Sequence, residues 1–288
     1  MTSAYLPNFL ETDLANAVNA VRETTPLVQC VTNTVVQNFT ANLLLAAGAA
    51  PAMADFPSET ELFAAIATAT LINVGTMSDK LVKGAPLTAE AAQKAGTPWV
   101  LDPVAVGVLP ARTELAHELL QYRPSAVRGN ASEIAALAGL GAGGRGVDAT
   151  DSVGSAAAAA AKLARETGAV VAISGERDLI VWEADGELRG VWLTSGHALL
   201  PRVIGTGCGL GALTAAYIGA NPHGNATEIA ASVLAAHAIL GAAGQRAAES
   251  AKHPGSFAVA FLDALDALTP AEIAEYIEVD DADLAEVA

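Results

Sequence analysis

The chain has 288 residues, of which 52% are hydrophobic and 16% charged, enough apolar material for one large α/β domain. Acidic residues outnumber basic ones 31 to 15, and the net charge of −16 argues against nucleic acid and anionic membranes as partners. An anionic substrate would therefore have to be held by local groups.

Residues 13–22 read as a first helix, with Leu14, Val18 and Val21 on one face and Pro26 as its stop. Residues 27–31 form a short apolar run between Pro26 and Thr32-Asn33, the pattern of a buried strand. A helix over 34–47 follows, closed by Gly48, then a short strand at 51–54. Ser58 and Glu61 have capping-box spacing, which predicts a helix to about 69. Strands are expected at 70–74, at 99–101 ending in Asp102-Pro103, and at 126–127 ending in Arg128-Gly129-Asn130. Between them lies a helix beginning at 79 or 88 and ending at 95.

Residues 132–140 read as a helix, 141–146 as a flexible glycine loop, and the alanine-rich stretch 151–166 as a strong helix. A strand over 169–173 ends in Ser174-Gly175. Residues 179–182 and 187–193 flank Asp185-Gly186, a hairpin signal. Helices over 226–247 and 254–268 complete the pattern, with an acidic, frayed tail over about 278–288. Apolar strands alternating with helices predict a three-layer αβα fold with a mostly parallel central sheet, as one domain over 1–288. Ligands of such sheets bind at the carboxyl ends of the strands. Thr32, Asn33, Asp102, Arg128, Asn130, Ser174 and Gly175 all fall there.

Cys30 and Cys208 are too few for a disulfide framework and lack paired metal-binding spacing. The five histidines lack it as well. No signal peptide is visible in residues 1–19, and no apolar run reaches membrane-spanning length free of Gly, Pro and polar breaks. The expected compartment is the cytoplasm.

The chemistry centres on Val203-Ile204-Gly205-Thr206-Gly207-Cys208-Gly209, followed by an apolar helical run over 210–218. Such a loop points free backbone N–H groups at one spot, and the helix dipole adds positive charge there, which makes an anion site. Gly205, Thr206 and Gly207 would form the cradle. Cys208 is its reactive side chain, and a thiol at a helix N-terminus has its thiolate favoured. A cysteine-nucleophile acyl transferase would instead need His197 or His237 beside Cys208.

Longer motifs sharpen this. Cys30-Val31-Thr32-Asn33, Pro51-Ala52-Met53-Ala54, Asn73-Val74-Gly75-Thr76, Asp102-Pro103-Val104-Ala105-Val106-Gly107, Arg128-Gly129-Asn130-Ala131-Ser132-Glu133, Ile173-Ser174-Gly175 and Gly205-Thr206-Gly207-Cys208 stand in one order over about 20–270. In this the chain resembles the hydroxyethylthiazole kinases, the thiamine-salvage branch of the ribokinase-like superfamily. The resemblance implies a fold without the sugar kinases' lid. It implies transfer of the ATP γ-phosphate to the primary alcohol of 4-methyl-5-(2-hydroxyethyl)thiazole, and a homotrimer with active sites at subunit interfaces. A kinase of another small alcohol, such as hydroxymethylpyrimidine, is the alternative.

By resemblance, Glu133 organises Mg²⁺ through water, and Asp102 fits a magnesium or phosphate-water role. Arg128 suits bidentate contact with nucleotide phosphates. Ser174 and Asn130 match nucleotide-side positions, and Asn33, Met53 and Gly205 match positions around the thiazole. Met53 would lie against the heterocycle, sulfur on ring. Most ribokinase-like kinases carry Asp where this chain has Cys208. Either the helix N-terminus tunes the thiol downward, or base catalysis contributes little.

Overall fold

The computed structural model describes residues 12–141 and 152–284. The expected loop at 141–146 therefore lies almost wholly outside the described residues. The first half of the chain alternates helix and strand: α1 (Leu14–Thr24), β1 (Leu27–Val31), α2 (Gln37–Ala47), β2 (Ala50–Ala52), α3 (Pro57–Ala64), β3 (Ala69–Asn73), α4 (Asp79–Ala95), β4 (Trp99–Asp102), α5 (Pro110–Leu120), β5 (Ala126–Asn130) and α6 (Ala131–Leu137). The second half follows with α7 (Ser152–Thr167), β6 (Val170–Ser174), β7 (Arg177–Ala184), β8 (Glu187–Thr194), α8 (Thr206–Gly219), α9 (Ala226–Ser250), α10 (Pro254–Ala267), α11 (Pro270–Glu275) and β9 (Glu278–Asp281).

The nine strands of the described residues form one sheet in the order β2-β1-β3-β4-β5-β6-β7-β8-β9. Strands β2 to β6 in that order pair in parallel, and β7, β8 and β9 are added antiparallel. Among the described residues every strand belongs to this sheet, so none is left over for a lid.

Successive strand residues point to opposite faces. Cys30, Leu71, Val100, Ala126 and Ala172 enter one core with α1, α2, α8, α9 and α10. Val31, Ile72, Leu101, Val127 and Ile173 enter the other with α4, α5, α6 and α7. Both faces are covered, so the strands read as continuous apolar runs. Full burial of a side chain such as Leu71 or Ile72 contributes about 1.5–3 kcal/mol. Helix α9 is long and apolar enough to cross a membrane by length and composition, yet most of it is buried inside this fold.

Several expectations are corrected. Ser58 makes no cap: α3 starts one residue earlier, at Pro57, whose fixed φ suits the first helical turn. That helix ends at Ala64, and Ala69 opens β3. Helix α5 lies in a stretch the sequence reading leaves unassigned. The acidic C-terminal stretch is not simply frayed: Glu278–Asp281 pairs with β8, and Asp280 meets Arg177 at 2.6 Å. The glycine segment is not a loop leading to a helix at 210. Helix α8 begins at Thr206, with Gly205 as its N-cap at φ +97.

Candidate active site

Helix α8 starts at the carboxyl edge of the sheet. Its first intrahelical bond runs from Gly209 N–H to Gly205 C=O at 2.7 Å. The N–H groups of Thr206, Gly207 and Cys208 precede that ladder and remain available to an anion. Gly205 is required at the cap: its φ is left-handed, and a Cβ there would meet Phe39 at 3.0 Å and Val36 at 3.3 Å. Thr206 does not offer its hydroxyl to a ligand; it donates to Leu200 C=O at 2.9 Å and anchors the preceding turn. Its contribution to the cradle is its backbone N–H. Gly211 lets the helix lie close over the sheet, since a Cβ would meet Leu71 at 3.0 Å and Asp102 Oδ2 at 3.2 Å.

A hydrogen-bonded chain crosses the sheet beneath that helix. Asn33 Nδ2 donates to Cys208 Sγ at 3.3 Å and to Asn73 Oδ1 at 3.2 Å. Asn73 Nδ2 donates to Asp102 Oδ2 at 2.6 Å. Asp102 is fully buried, and its Oδ1 has no hydrogen-bond partner. Arg128 NH1 stands 3.7 Å from Oδ1, an ion pair without a hydrogen bond. Burial pushes the Asp102 carboxyl up to about 7 against the pull of Arg128. Cys208 behaves contrary to the sequence expectation. Burial, and next the charge of Asp102, push its thiol above the ordinary value, so the thiolate is disfavoured. Desolvation of the largely buried thiol is the first cause of that shift.

Arg128 is buried between three elements. Its Nε and NH2 donate to Ser174 Oγ at 3.3 and 2.9 Å, and NH1 donates to Gly207 C=O at 3.0 Å. Glu133 caps α6 together with Asn130, and each of its oxygens accepts a backbone N–H: Ala105 at 2.8 Å and Asn130 at 2.9 Å. It thereby holds the turn after β4, where Ala105 adopts φ +60, a conformation uncommon for a residue with a Cβ. Asn130 uses its Oδ1 on Glu133 N–H.

A groove of about 1000 Å³ runs along this edge. Asn33, Val36, Gly75 and Cys208 line one end, Arg128 and Gly205 to Gly207 the middle, and Ser174, Gly175, Asp178, His237 and Gly241 the other end. From β1 to β6 the sheet takes four strand steps, about 19 Å at about 4.8 Å per step. That length accommodates two substrates end to end with the α8 N-terminus between them. Asn33, Arg128, Ser174 and the Gly205–Cys208 segment are thus brought together as expected. Asp102 lies beneath the floor. Glu133, Asn130 and Met53 do not line the groove; Met53 packs at the far side, just past edge strand β2. Among the described residues no hydrogen bond joins Cys208 to His197 or His237, so the acyl-transfer arrangement does not form. The sequence reading does not single out Asp178; it has Asn73 only within a family motif and His237 only as the base of the acyl-transfer alternative. The strand-end pattern Asn73-Val74-Gly75-Thr76 could have flagged Asn73.

The doubly covered, mostly parallel sheet, the helix N-terminus at the centre of its edge and the elongated groove are those of the ribokinase-like α/β fold class. The sequence profile of the hydroxyethylthiazole kinase family matches residues 18–271, and the chain belongs to that family. It is 58% identical over 267 residues to the hydroxyethylthiazole kinase of Corynebacterium glutamicum (strain R), covering 93% of this chain and 98% of that protein. It is 50% identical to the hydroxyethylthiazole kinase of Tolumonas auensis over 92% of this chain and 96% of the relative. The solved structure of the Pyrococcus horikoshii OT3 hydroxyethylthiazole kinase superposes with a TM-score of 0.81 at 35% identity, over 94% of this chain and 99% of that one. The pyridoxal kinase of Staphylococcus aureus, at 18% identity and a TM-score of 0.60 over 89% and 98% of the two chains, shares the fold.

Proposed function

We propose that this kinase transfers the γ-phosphoryl group of ATP to the primary alcohol of 4-methyl-5-(2-hydroxyethyl)thiazole, yielding the thiazole phosphate and ADP for thiamine salvage in the cytoplasm. The observation that carries this reading is the two-ended groove with the free N–H groups of Thr206, Gly207 and Cys208 at its middle. The relatives named hydroxyethylthiazole kinase support the acceptor. In the reaction the alcohol oxygen bonds to the γ-phosphorus, the bond to the ADP oxygen breaks, and the alcohol proton leaves. Phosphoryl transfer needs positioning and charge neutralisation above all. The α8 N–H groups receive the transferred phosphoryl, Arg128 and Ser174 border the nucleotide phosphates, and Asn33 with Gly205 borders the thiazole.

Mg²⁺ fits the buried oxygen of Asp102 that has no partner, whereas no group of three or more His, Cys, Asp or Glu side chains converges among the described residues. Mg²⁺ held mainly by phosphates and water needs only one or two carboxylates. Asp102 would hold it through water, with Glu133 shaping the turn beside it, and the ion would neutralise charge on the phosphates.

Met53 lies outside the groove of its own chain, and the stretch after it exposes Phe56, Leu62 and Ile66. Both facts support an interface at which Met53 reaches a neighbouring copy's thiazole, and the homotrimer is the assembly that the resemblance implies. Sedimentation showing an active monomer would remove this assembly.

The deciding experiment is an assay with ATP and Mg²⁺ on hydroxyethylthiazole and hydroxymethylpyrimidine in parallel, with the product read by phosphorus NMR. Turnover of the pyrimidine alone would overturn the assignment.

A further inference from the structure

His237 lies on α9 in a strip with Leu240 and Gly241, three and four residues on, and that strip faces the groove. The residue is 1% exposed. Its Nδ1 stands 2.6 Å from Asp178 Oδ2. A carboxylate only accepts, so Nδ1 carries the proton and donates it. The other oxygen, Asp178 Oδ1, accepts Gly175 N–H at 2.9 Å. Gly175 follows Ser174, whose Oγ takes two donors from Arg128, and Arg128 reaches Gly207 C=O in the first turn of α8. A continuous path therefore runs from α9 through the β6–β7 turn and Arg128 to the anion cradle. His237 Nε2 is buried with no hydrogen-bond partner. An unpaired buried nitrogen is costly, and core packing alone would be served better by an apolar residue. The bond to Asp178 offsets that cost.

We propose that His237 is a positioning residue for the nucleotide. It fixes Asp178, and Asp178 fixes the Ser174-Gly175 turn on which the nucleotide end of the groove is built. The proposal rests on the phosphotransfer reading above and names a residue that acts through another rather than on the reacting atoms.

The test is calorimetry on the intact protein, with AMP-PNP and hydroxyethylthiazole titrated separately, alongside KM for ATP, kcat and thermal denaturation. His237→Leu fills the space without an N–H. It should weaken AMP-PNP and raise KM for ATP by about tenfold, the worth of one charge-assisted bond, and leave thiazole affinity unchanged. His237→Asn returns an N–H near the Nδ1 position and should recover most of the nucleotide affinity. A folded His237→Leu with parental AMP-PNP affinity, or one that weakens both ligands equally, would overturn the proposal. If the His237 variants do not fold, Asp178→Ala takes their place; its side chain is partly exposed, at 16%, and it should show the same split between ligands. Parental nucleotide affinity in Asp178→Ala would likewise overturn it. The two readings fail separately. A parent that binds AMP-PNP but leaves the thiazole untouched refutes the substrate and not the positioning. A parent that phosphorylates the thiazole, with variants that match it in nucleotide affinity, refutes the positioning alone.

Discussion

At one end of the groove Asp178 has both oxygens paired, with Gly175 N–H at 2.9 Å and His237 at 2.6 Å. Beneath its centre Asp102 has one oxygen paired with Asn73 at 2.6 Å and the other without a hydrogen bond. Both are carboxylates placed by the same sheet. The difference shows how the fold divides its work. At the nucleotide end the carboxylate is fully engaged before any ligand arrives: Asp178 holds Gly175 and His237, while Ser174 next to Gly175 holds Arg128. The phosphoryl centre keeps an unsatisfied acceptor, a cation at 3.7 Å without a hydrogen bond, and a carboxyl raised to about 7. An incomplete centre is costly to hold, and the cost suits a place where charge must be received.

The contrast breaks most sharply at Asp102. Asp102→Asn keeps the shape and removes the charge, and should lower kcat by about 10²–10³-fold, as loss of one electrostatic partner does. It should also change stability against pH. The folded value of about 7 lies above the ordinary 3.8, so this group's stabilising contribution is complete at acid pH and is lost as pH rises through about 7. The parent should lose stability across that window by up to about 1.4 kcal/mol per pH unit, and the Asn variant should lack that slope. Denaturant midpoints over a pH series measure it; identical slopes would mean that Asp102 is ionised at little cost.

Arg128→Ala strikes the junction of the two regions. It removes the donors to Ser174 and Gly207 C=O and leaves Asp102 without its cation, pushing that carboxyl higher still. KM for ATP should rise by roughly tenfold to a hundredfold, one charge-assisted bond being worth about 1.5–3 kcal/mol. A change confined to the thiazole KM would move Arg128 to the other end.

Glu133→Gln tests a group that the sequence places with the metal and the structure places with the backbone. Glu133 spends one oxygen on Ala105 N–H and one on Asn130 N–H. In the variant an amide N–H faces one of these donors, which should cost about 1–3 kcal/mol of stability, read as a lower Tm. If Glu133 also organises Mg²⁺ through water, the Mg²⁺ concentration for half-maximal rate rises as well. A lower Tm with unchanged Mg²⁺ dependence would leave it as the brace of the Ala105 turn.

Much of this fold is legible in the residues. Strands buried on both faces give short apolar runs, and Asp185-Gly186 marks its hairpin because both residues take positive φ. Helix α5 escapes because its buried positions, Leu115, Ala116 and Leu119, are few and follow a turn with positive φ at Ala105 and Gly107. The strand Glu278–Asp281 escapes because its acidity reads as solvated, and only the fold brings Arg177 beside Asp280. At the site, strand-end position found Asn33, Asp102, Arg128 and Ser174. It could not find His237, which enters from a helix face, or Asp178, which lies inside a hairpin strand. Nor could it show that burial raises the Cys208 thiol.

That reversal makes Cys208→Ala the smallest effect expected at the centre. A general base typically contributes about 10²–10⁴-fold. A thiol raised by burial and by Asp102 stays protonated near neutral pH and is a poor acceptor for the alcohol proton. In a loose transition state that proton leaves late, so little is lost without a base. The variant keeps the backbone N–H of position 208, and Asn33 keeps its bond to Asn73. Activity should therefore fall by less than about tenfold. Labelling checks the premise independently. Cys30 is buried and pushed up to about 12, so iodoacetamide reports on Cys208 alone, and its rate should climb only above the ordinary thiol range. Fast labelling at neutral pH, together with a thousandfold loss in Cys208→Ala, would show that the helix N-terminus does win at this thiol. The proton would then pass to sulfur.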